Sequence, residues 1–408
     1  QGRKKPWSEC RDYWQAENLR GINLEYLSFY TVTVHLRRDF FNFEQIHFDM
    51  KNLLPILQDI AQHLPDQLTD ADKETLENIY QNSLQDLDHP EAMFGFVLAK
   101  AMRQHLSGGQ SNEHIYLQKF EIPQIRLFEL LIQQLPLASL TQTCANALLI
   151  QSLTRFENPV LMDIGIGTGM QIVNVLQKLA QYPDSQIKQL TVVGIEPFAE
   201  ALQTAQHNLT NLLLPFEVNF VSHLALIENM SFAEIERLLP THYDTLVINA
   251  SFALHHIQKA ADREKVFSYI HKLSPQVFLL SEPVSDHFEP HYGTRFRNAA
   301  LHYGLVFEVI DTLEITPKEK AALKLFFSRE IDDVLGQTES LRVEKQYATS
   351  QWLQLFKQTG FVLQKPLQSF ETQEIQGVVL KVDLPEHYAV VFKNEEITNV
   401  FYTKPFQP

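Results

Sequence analysis

Residues 159–169 read Pro-Val-Leu-Met-Asp-Ile-Gly-Ile-Gly-Thr-Gly: an apolar run, then an acid, then three glycines at alternate positions. A short continuous apolar run suits a strand buried on both faces, and glycines directly after it let the chain turn sharply. A helix is predicted next, with Ile172, Leu176 and Leu179 on one face. The alternation then continues. LTVVGIEP, FEVNFVS, YDTLVINA and QVFLLSEP are four further strand candidates with helical stretches between them. Such alternation specifies βαβ units and a mostly parallel sheet. After Gly360 the segments GFVLQKPL, QGVVLKV, HYAVVF and ITNVFY are short and closely spaced, with Lys393-Asn394-Glu395-Glu396 as a hairpin turn. An antiparallel end to the sheet is therefore expected.

Before residue 156 the pattern is helical. TADKETLENIYQNSLQ opens on Thr and Asp, as a capped helix does. Pro123 to Leu153 carries Leu, Ile and Ala at helical spacing, with breaks predicted at Pro136 and Ser139–Thr141. SGGQSN at 107–112 reads as a loop and FFNFEQIHF at 40–48 as a core element. The expected organisation is a helical region over 1–155 and an α/β core over 156–408, with a helical insertion near 315–350.

The glycine loop points to a ligand. Gly165, Gly167 and Gly169 allow close backbone approach, and the helix N-terminus at Thr168, Gly169, Met170 and Gln171 offers free N–H groups. The spacing is G-x-G-x-G rather than G-x-G-x-x-G, and Asp163 stands two residues before the first glycine. A dinucleotide pyrophosphate there would be repelled by that carboxylate, whereas the ammonium end of a methionine moiety would be attracted. Glu196 ends the second strand, where a carboxylate can accept both ribose hydroxyls of a nucleoside. Together these residues predict S-adenosyl-L-methionine as cofactor. Asn249, Ala250 and Phe252 follow the fourth strand and are further cofactor contacts. His255 and His256 come next, and Glu282 ends the fifth strand; these three are the candidate general bases. Asp286, His287, Tyr292 and Arg329 are candidate substrate contacts. The acids and imidazoles between Glu282 and His291 do not give three convergent ligands by spacing, so no metal is expected.

Bulk properties remove some classes. The formal net charge is −15, which weighs against nucleic-acid and anionic-membrane partners. Two cysteines, Cys10 and Cys144, make neither a disulfide framework nor a structural zinc site. No signal peptide or apolar membrane span is recognisable, and a cytoplasmic location is expected.

Several blocks in order resemble the GRAS domain, a plant transcriptional-regulator domain with bacterial members. Ala145-Asn146-Ala147 leading to DIGIGTGMQ is one; Ile248-Asn249 with Leu254-His255 is another. Glu282, Asp286-His287, Arg295-Phe296 and LHYGLVFEVID follow, then Arg329-Glu330-Ile331, Leu341-Arg342-Val343-Glu344, Trp352 and Gly360-Phe361. The resemblance covers residues 75–408, with departures at Ile172, where a Trp commonly follows Met-Gln, and at the end, which reads Phe406-Gln-Pro in place of the Ser-Ala-Trp of plant members. It implies a Rossmann-like, S-adenosylmethionine-dependent methyltransferase core, mostly parallel with an antiparallel end, under a helical cap. Many plant members have an eroded glycine loop and act as protein scaffolds. Retention of all three glycines resembles the bacterial, methyltransferase-like branch. The expected activity is methyl transfer to a small molecule held between core and cap. The alternative is a non-catalytic GRAS-like regulator that binds a protein partner or a small ligand. Oligomeric state is left open by the sequence.

Overall fold

The computed structural model describes residues 53–64, 67–87, 89–109, 127, 130–364 and 371–406. The expectations for 40–48, Cys10 and Gln110 to Asn112 fall outside these residues. Contacts along the chain group Phe48–Pro408 as one unit.

Among the described residues a ten-stranded sheet organises the fold, in the order β3-β2-β1-β4-β5-β10-β9-β8-β7, with β6 pairing β10. Five strands run parallel: β1 (Pro159–Ile164), β2 (Gln189–Glu196), β3 (Glu217–Leu224), β4 (Thr245–Ser251) and β5 (Val277–Pro283). Each matches a predicted segment, and β1 is buried along its whole length, as its unbroken apolar run requires. β3 lies at the edge and has no buried residue. β6 (Phe361–Leu363), β7 (Gln373–Ile375), β8 (Val378–Lys381), β9 (Tyr388–Phe392) and β10 (Glu395–Pro405) form the antiparallel end. The β9–β10 turn is two residues, Lys393 and Asn394, both left-handed (φ 51° and 70°); Glu395 and Glu396, expected in the turn, already belong to β10. Gln376-Gly377 makes the same kind of turn between β7 and β8, a hairpin the sequence reading did not separate.

Among the described residues the α-helices of ten residues or more are α1 (Leu53–His63), α2 (Asp70–Leu84), α3 (Pro90–Leu106), α4 (Pro136–Leu153), α5 (Met170–Ala180), α6 (Ala199–Thr210), α7 (Ala260–Lys272), α8 (Tyr292–Thr312), α9 (Pro317–Ile331) and α10 (Thr349–Gln358). α2 starts at Thr69, whose side chain accepts from Asp72 N while the Asp72 carboxylate accepts from Thr69 N, a reciprocal cap. The break predicted at Ser139–Thr141 does not occur. Thr141 Oγ1 donates to Leu137 O at 2.7 Å inside the helix, so its hydroxyl is satisfied without ending α4. Pro136 is instead the first helical residue, where a missing N–H costs nothing.

Alternate residues of β1 show how the sheet is covered. Leu161 joins a core with α4 and α5, through Leu148, Ile172 and Leu176. Val160 and Met162 join the opposite core, with Val266 and Phe267 of α7 and Trp352 and Phe356 of α10. Phe267 is fully buried, its ring 5.4 Å from Phe278 and 5.2 Å from Phe356. Truncating such a phenylalanine costs about 3–5 kcal/mol. α4 is thus a sheet-covering helix, although it precedes the composition change near Asn158. A third core is helical: α1, α2 and α3 pack on α8 and on Ile331, Val334 and Leu335. α8 joins the two systems, with Phe296 and Tyr303 in the helical core and Val306 and Ile310 in the sheet core. No helix among the described residues is long and apolar enough to cross a membrane.

Candidate functional site

The strand order reverses between β1 and β4, and the crevice beyond the carboxyl ends of parallel strands at such a point is where α/β folds bind ligands. Gly165, Gly167 and Gly169 lie at that end, all left-handed (φ 78°, 54° and 74°). Gly165 N and Ile166 N donate to Ile195 O at 2.8 and 3.2 Å, which pins the loop to the end of β2. A Cβ on Gly167 would meet nothing within 4 Å, so the loop has open space there. Glu196 closes the arrangement: one carboxylate oxygen accepts from Gly167 N at 2.9 Å and the other from Phe198 N at 3.1 Å. Burial raises its pKa, and these two N–H groups oppose the rise. Each oxygen keeps a further lone pair for an incoming hydroxyl.

Beneath the loop lies a chain of polar side chains. Asn249 Nδ2 donates to Asp163 Oδ1 at 2.7 Å and to Gln171 Oε1 at 3.3 Å; Gln171 Nε2 donates to Asn146 Oδ1 at 3.1 Å. Asp163 and Asn249 are buried. Burial, with the Glu196 charge adding to it, pushes the Asp163 pKa up to about 7 against the Asn249 hydrogen bond. A cation at this carboxylate would recover much of that desolvation cost.

A second cluster sits at the ends of β4 and β5. Glu282 Oε1 accepts from Leu254 N at 2.7 Å and Ala253 N at 3.3 Å, while its Oε2 lies 2.5 Å from His255 Nδ1. On the other side of that ring, Nε2 is 3.2 Å from Glu344 Oε2, and His256 Nδ1 is 3.5 Å from Glu344 Oε1. Burial alone would lower the His255 pKa; Glu282 and Glu344 outweigh it and hold the imidazole up at about 10. Burial and the His255 charge bring His256 down to about 4. Arg263, fully buried on α7, ties the pieces together, donating to Ile257 O, His255 O and Lys345 O with its guanidinium 4.1 Å from the Tyr347 ring centre.

The family model of the GRAS domain matches residues 53–403. The chain belongs to the GRAS domain family. Similar proteins include DELLA protein 2 of Medicago truncatula, 24% identical over 53% of this chain and 42% of its own, and Scarecrow-like protein 14 of Arabidopsis thaliana, 27% identical over 55% and 30%. The chain spans less than half the length of these relatives. The crystal structure of SCL7 in Oryza sativa superposes with a TM-score of 0.68 at 18% identity, over 86% of this chain and 99% of that one, and shares the fold.

In this GRAS domain the sequence-singled residues divide by place. Asp163, Gln171, Asn249 and Glu196 gather with the three glycines, and Ala250 pairs with Ile164 in register. Thr168 and Met170 are exposed on the outer rim of the loop, where Asn208 donates to Thr168 O at 3.0 Å and contacts Met170 Sδ. Phe252 is left-handed (φ 54°), and its N–H donates to Ser281 O at 2.8 Å. His255, His256 and Glu282 form the second cluster. The remaining candidates sit in helical packing. Tyr292 donates to Leu335 O at 3.0 Å, His287 is fully buried against the Tyr303 ring, Asp286 O accepts from Asn298, and Arg329 is buried on α9. Sequence reasoning assigned no site role to Asn146, Arg263 or Glu344. An Asn inside the apolar helix of α4 and Glu344 inside a GRAS-like block were available signals; Arg263 resembled any solvent-facing residue of an amphipathic helix.

Proposed function

We propose that this chain is a GRAS-family regulator that binds a small nucleoside-bearing ligand, of the S-adenosylmethionine or S-adenosylhomocysteine class, in the crevice beyond β1, β2 and β4. The observation that carries the reading is the left-handed glycine loop clamped by Glu196 above buried Asp163 and Asn249, with Gln171 beside them. The donor set fits the ligand: Glu196 would accept from the ribose hydroxyls, Asp163 would face the ammonium group, and Gly167 leaves room for close approach. The family relationship supports a regulator that engages a protein partner. We assign α1–α3 and 315–350 to a cap that would carry that contact.

Methyl transfer to a small molecule is the second reading, favoured by the intact glycine loop. Bound S-adenosylmethionine would supply an electrophilic methyl group. Against it, Glu282 and His255 hold one another and two backbone N–H groups, which leaves neither as a free base. Titration calorimetry with S-adenosylhomocysteine tests the common element. Binding is expected, and Glu196→Ala should weaken it by at least about tenfold, since even one lost charge-assisted bond is worth about 1.5–3 kcal/mol. No heat of binding to folded protein, or an unchanged affinity in folded Glu196→Ala, rejects the site. A methylated product formed from a metabolite extract would select the second reading over the first.

A further inference from the structure

The sequence reading expected no metal, yet three ligand-type atoms converge outside the glycine-loop crevice: His255 Nε2, His256 Nδ1 and a carboxylate oxygen of Glu344, all within 4.8 Å of one another. Zinc binds imidazole nitrogen and carboxylate oxygen at about 2.0–2.2 Å, which sets tetrahedral ligand–ligand edges of about 3.3–3.5 Å. His255 Nε2 lies 3.2 Å from Oε2 of Glu344 and His256 Nδ1 lies 3.5 Å from its Oε1, so the one carboxylate faces both rings at separations of that order. Glu344 is 2% exposed, and its two oxygens face the His255 and His256 rings. A buried carboxylate needs a positive partner, which either an imidazolium or a metal ion between the rings supplies.

The surroundings are those of a metal site. Ligating histidines commonly present their second nitrogen to a carboxylate, which fixes ring and tautomer. His255 Nδ1 faces Glu282 Oε2 at 2.5 Å, and Glu282 is itself held by Leu254 N and Ala253 N. The two ligand-bearing segments are fixed independently of any ion. Glu344 N and Val343 N donate to Asp333, Lys345 N donates to His255 O at 3.3 Å, and Arg263 bridges His255 O to Lys345 O. The His256 side chain is 37% exposed, so the convergence is reachable from solvent on that side.

We propose that His255, His256 and Glu344 bind a divalent transition-metal cation of the zinc type, with Glu282 as the positioning residue behind His255 and a fourth position open beside His256. The ion replaces the proton on His255 Nε2. Two imidazoles and one carboxylate select zinc-like ions over magnesium and calcium, which prefer all-oxygen shells.

The test uses the full chain without a polyhistidine tag, stripped with chelator and titrated with Co2+ as a zinc surrogate. One Co2+ per chain with the visible bands of tetrahedral cobalt, displaced by Zn2+, is expected. His256→Ala, the least buried ligand, should abolish those bands while the far-ultraviolet dichroism stays native. Glu282→Gln should weaken affinity about 10- to 100-fold with the bands retained, as loss of an outer-shell partner does. His291→Ala, an exposed helix cap, should change nothing. Should His256→Ala fail to fold, Glu344→Gln takes its place with the same expected loss. Absence of stoichiometric binding by folded wild-type protein overturns the proposal. So do tetrahedral bands that survive in His256→Ala or Glu344→Gln.

Discussion

Replacing Gly165 by Ala isolates the steric condition on which the glycine loop rests. Two costs add. The residue is left-handed (φ 78°), which costs a non-glycine residue roughly 1–2 kcal/mol. The new Cβ would also lie 2.5 Å from Ala253 Cβ, well inside contact distance. Relieving such an overlap in a packed region costs about 1–3 kcal/mol, so Gly165→Ala should destabilise by about 2–5 kcal/mol. Gly167→Ala pays only the backbone part, since nothing lies within 4 Å of its Cβ; about 1–2 kcal/mol is expected. The second change that tests the cause is Ala253→Gly. It removes the clashing atom and leaves Ala253 Cα as the nearest neighbour at 3.7 Å, an ordinary contact. By itself it should cost about 0.5–1 kcal/mol of chain entropy. The double variant should therefore be more stable than the sum of the singles by about 1–3 kcal/mol. Urea unfolding of the four proteins, followed by circular dichroism at matched m-values, measures this coupling. Additivity within about 0.5 kcal/mol would refute the steric account, because neighbours that do not clash do not couple. Ligand binding gives an independent reading: Gly167→Ala should weaken S-adenosylhomocysteine binding more than it weakens the fold, since its methyl enters the open side of the loop.

Two further predictions concern pH. Asp163 has a folded pKa near 7 against an ordinary 3.8, so the native state holds a proton that the unfolded chain has released. Stability should therefore fall as pH rises from 4 to 7, by up to a few kcal/mol, and Asp163→Asn should flatten that limb in thermal unfolding scans; an unchanged slope in the variant contradicts the burial argument. Glu396 behaves oppositely. Hydrogen bonds from His387, Asn399 and Thr349 bring its pKa down to about 2, so it contributes stability above pH 4.5 that is lost as pH falls through 2. With the side chain 30% exposed the contribution is on the order of 2 kcal/mol. Glu396→Gln should lose it at neutral pH and shift acid unfolding; a variant as stable as wild type at pH 7 rules it out.

The local chain determined a good deal. The apolar run at 159–164, the glycines after it and the four later strand segments made the five core strands and their parallel direction legible, because a buried strand and a left-handed turn each demand particular residues at particular spacing, while the order of the strands in the sheet came from the tertiary structure. The acid at Glu196 and the Asn at 249 were legible as strand-end polar groups that need partners. The reciprocal cap at Thr69 was legible for the same reason: its chemistry is complete within four residues. What the sequence left open is what depends on residues far apart in the chain. Asn146 and Asn249 are 103 positions apart and meet only through Gln171. Glu344 reaches His255 because Asp333 and Arg263 hold two loops together, and nothing near either residue encodes that meeting. The same holds for α4, whose composition matches the helices before it although its packing belongs to the sheet. Burial also reversed expectations set by residue type. His255 and Glu282 read as free bases in the sequence, but a carboxylate and an imidazole removed from water at the ends of adjacent strands hold each other instead. Helix, strand and cap follow from short-range physics. Which polar groups share one buried volume, and what they can therefore bind, was decided by the tertiary structure.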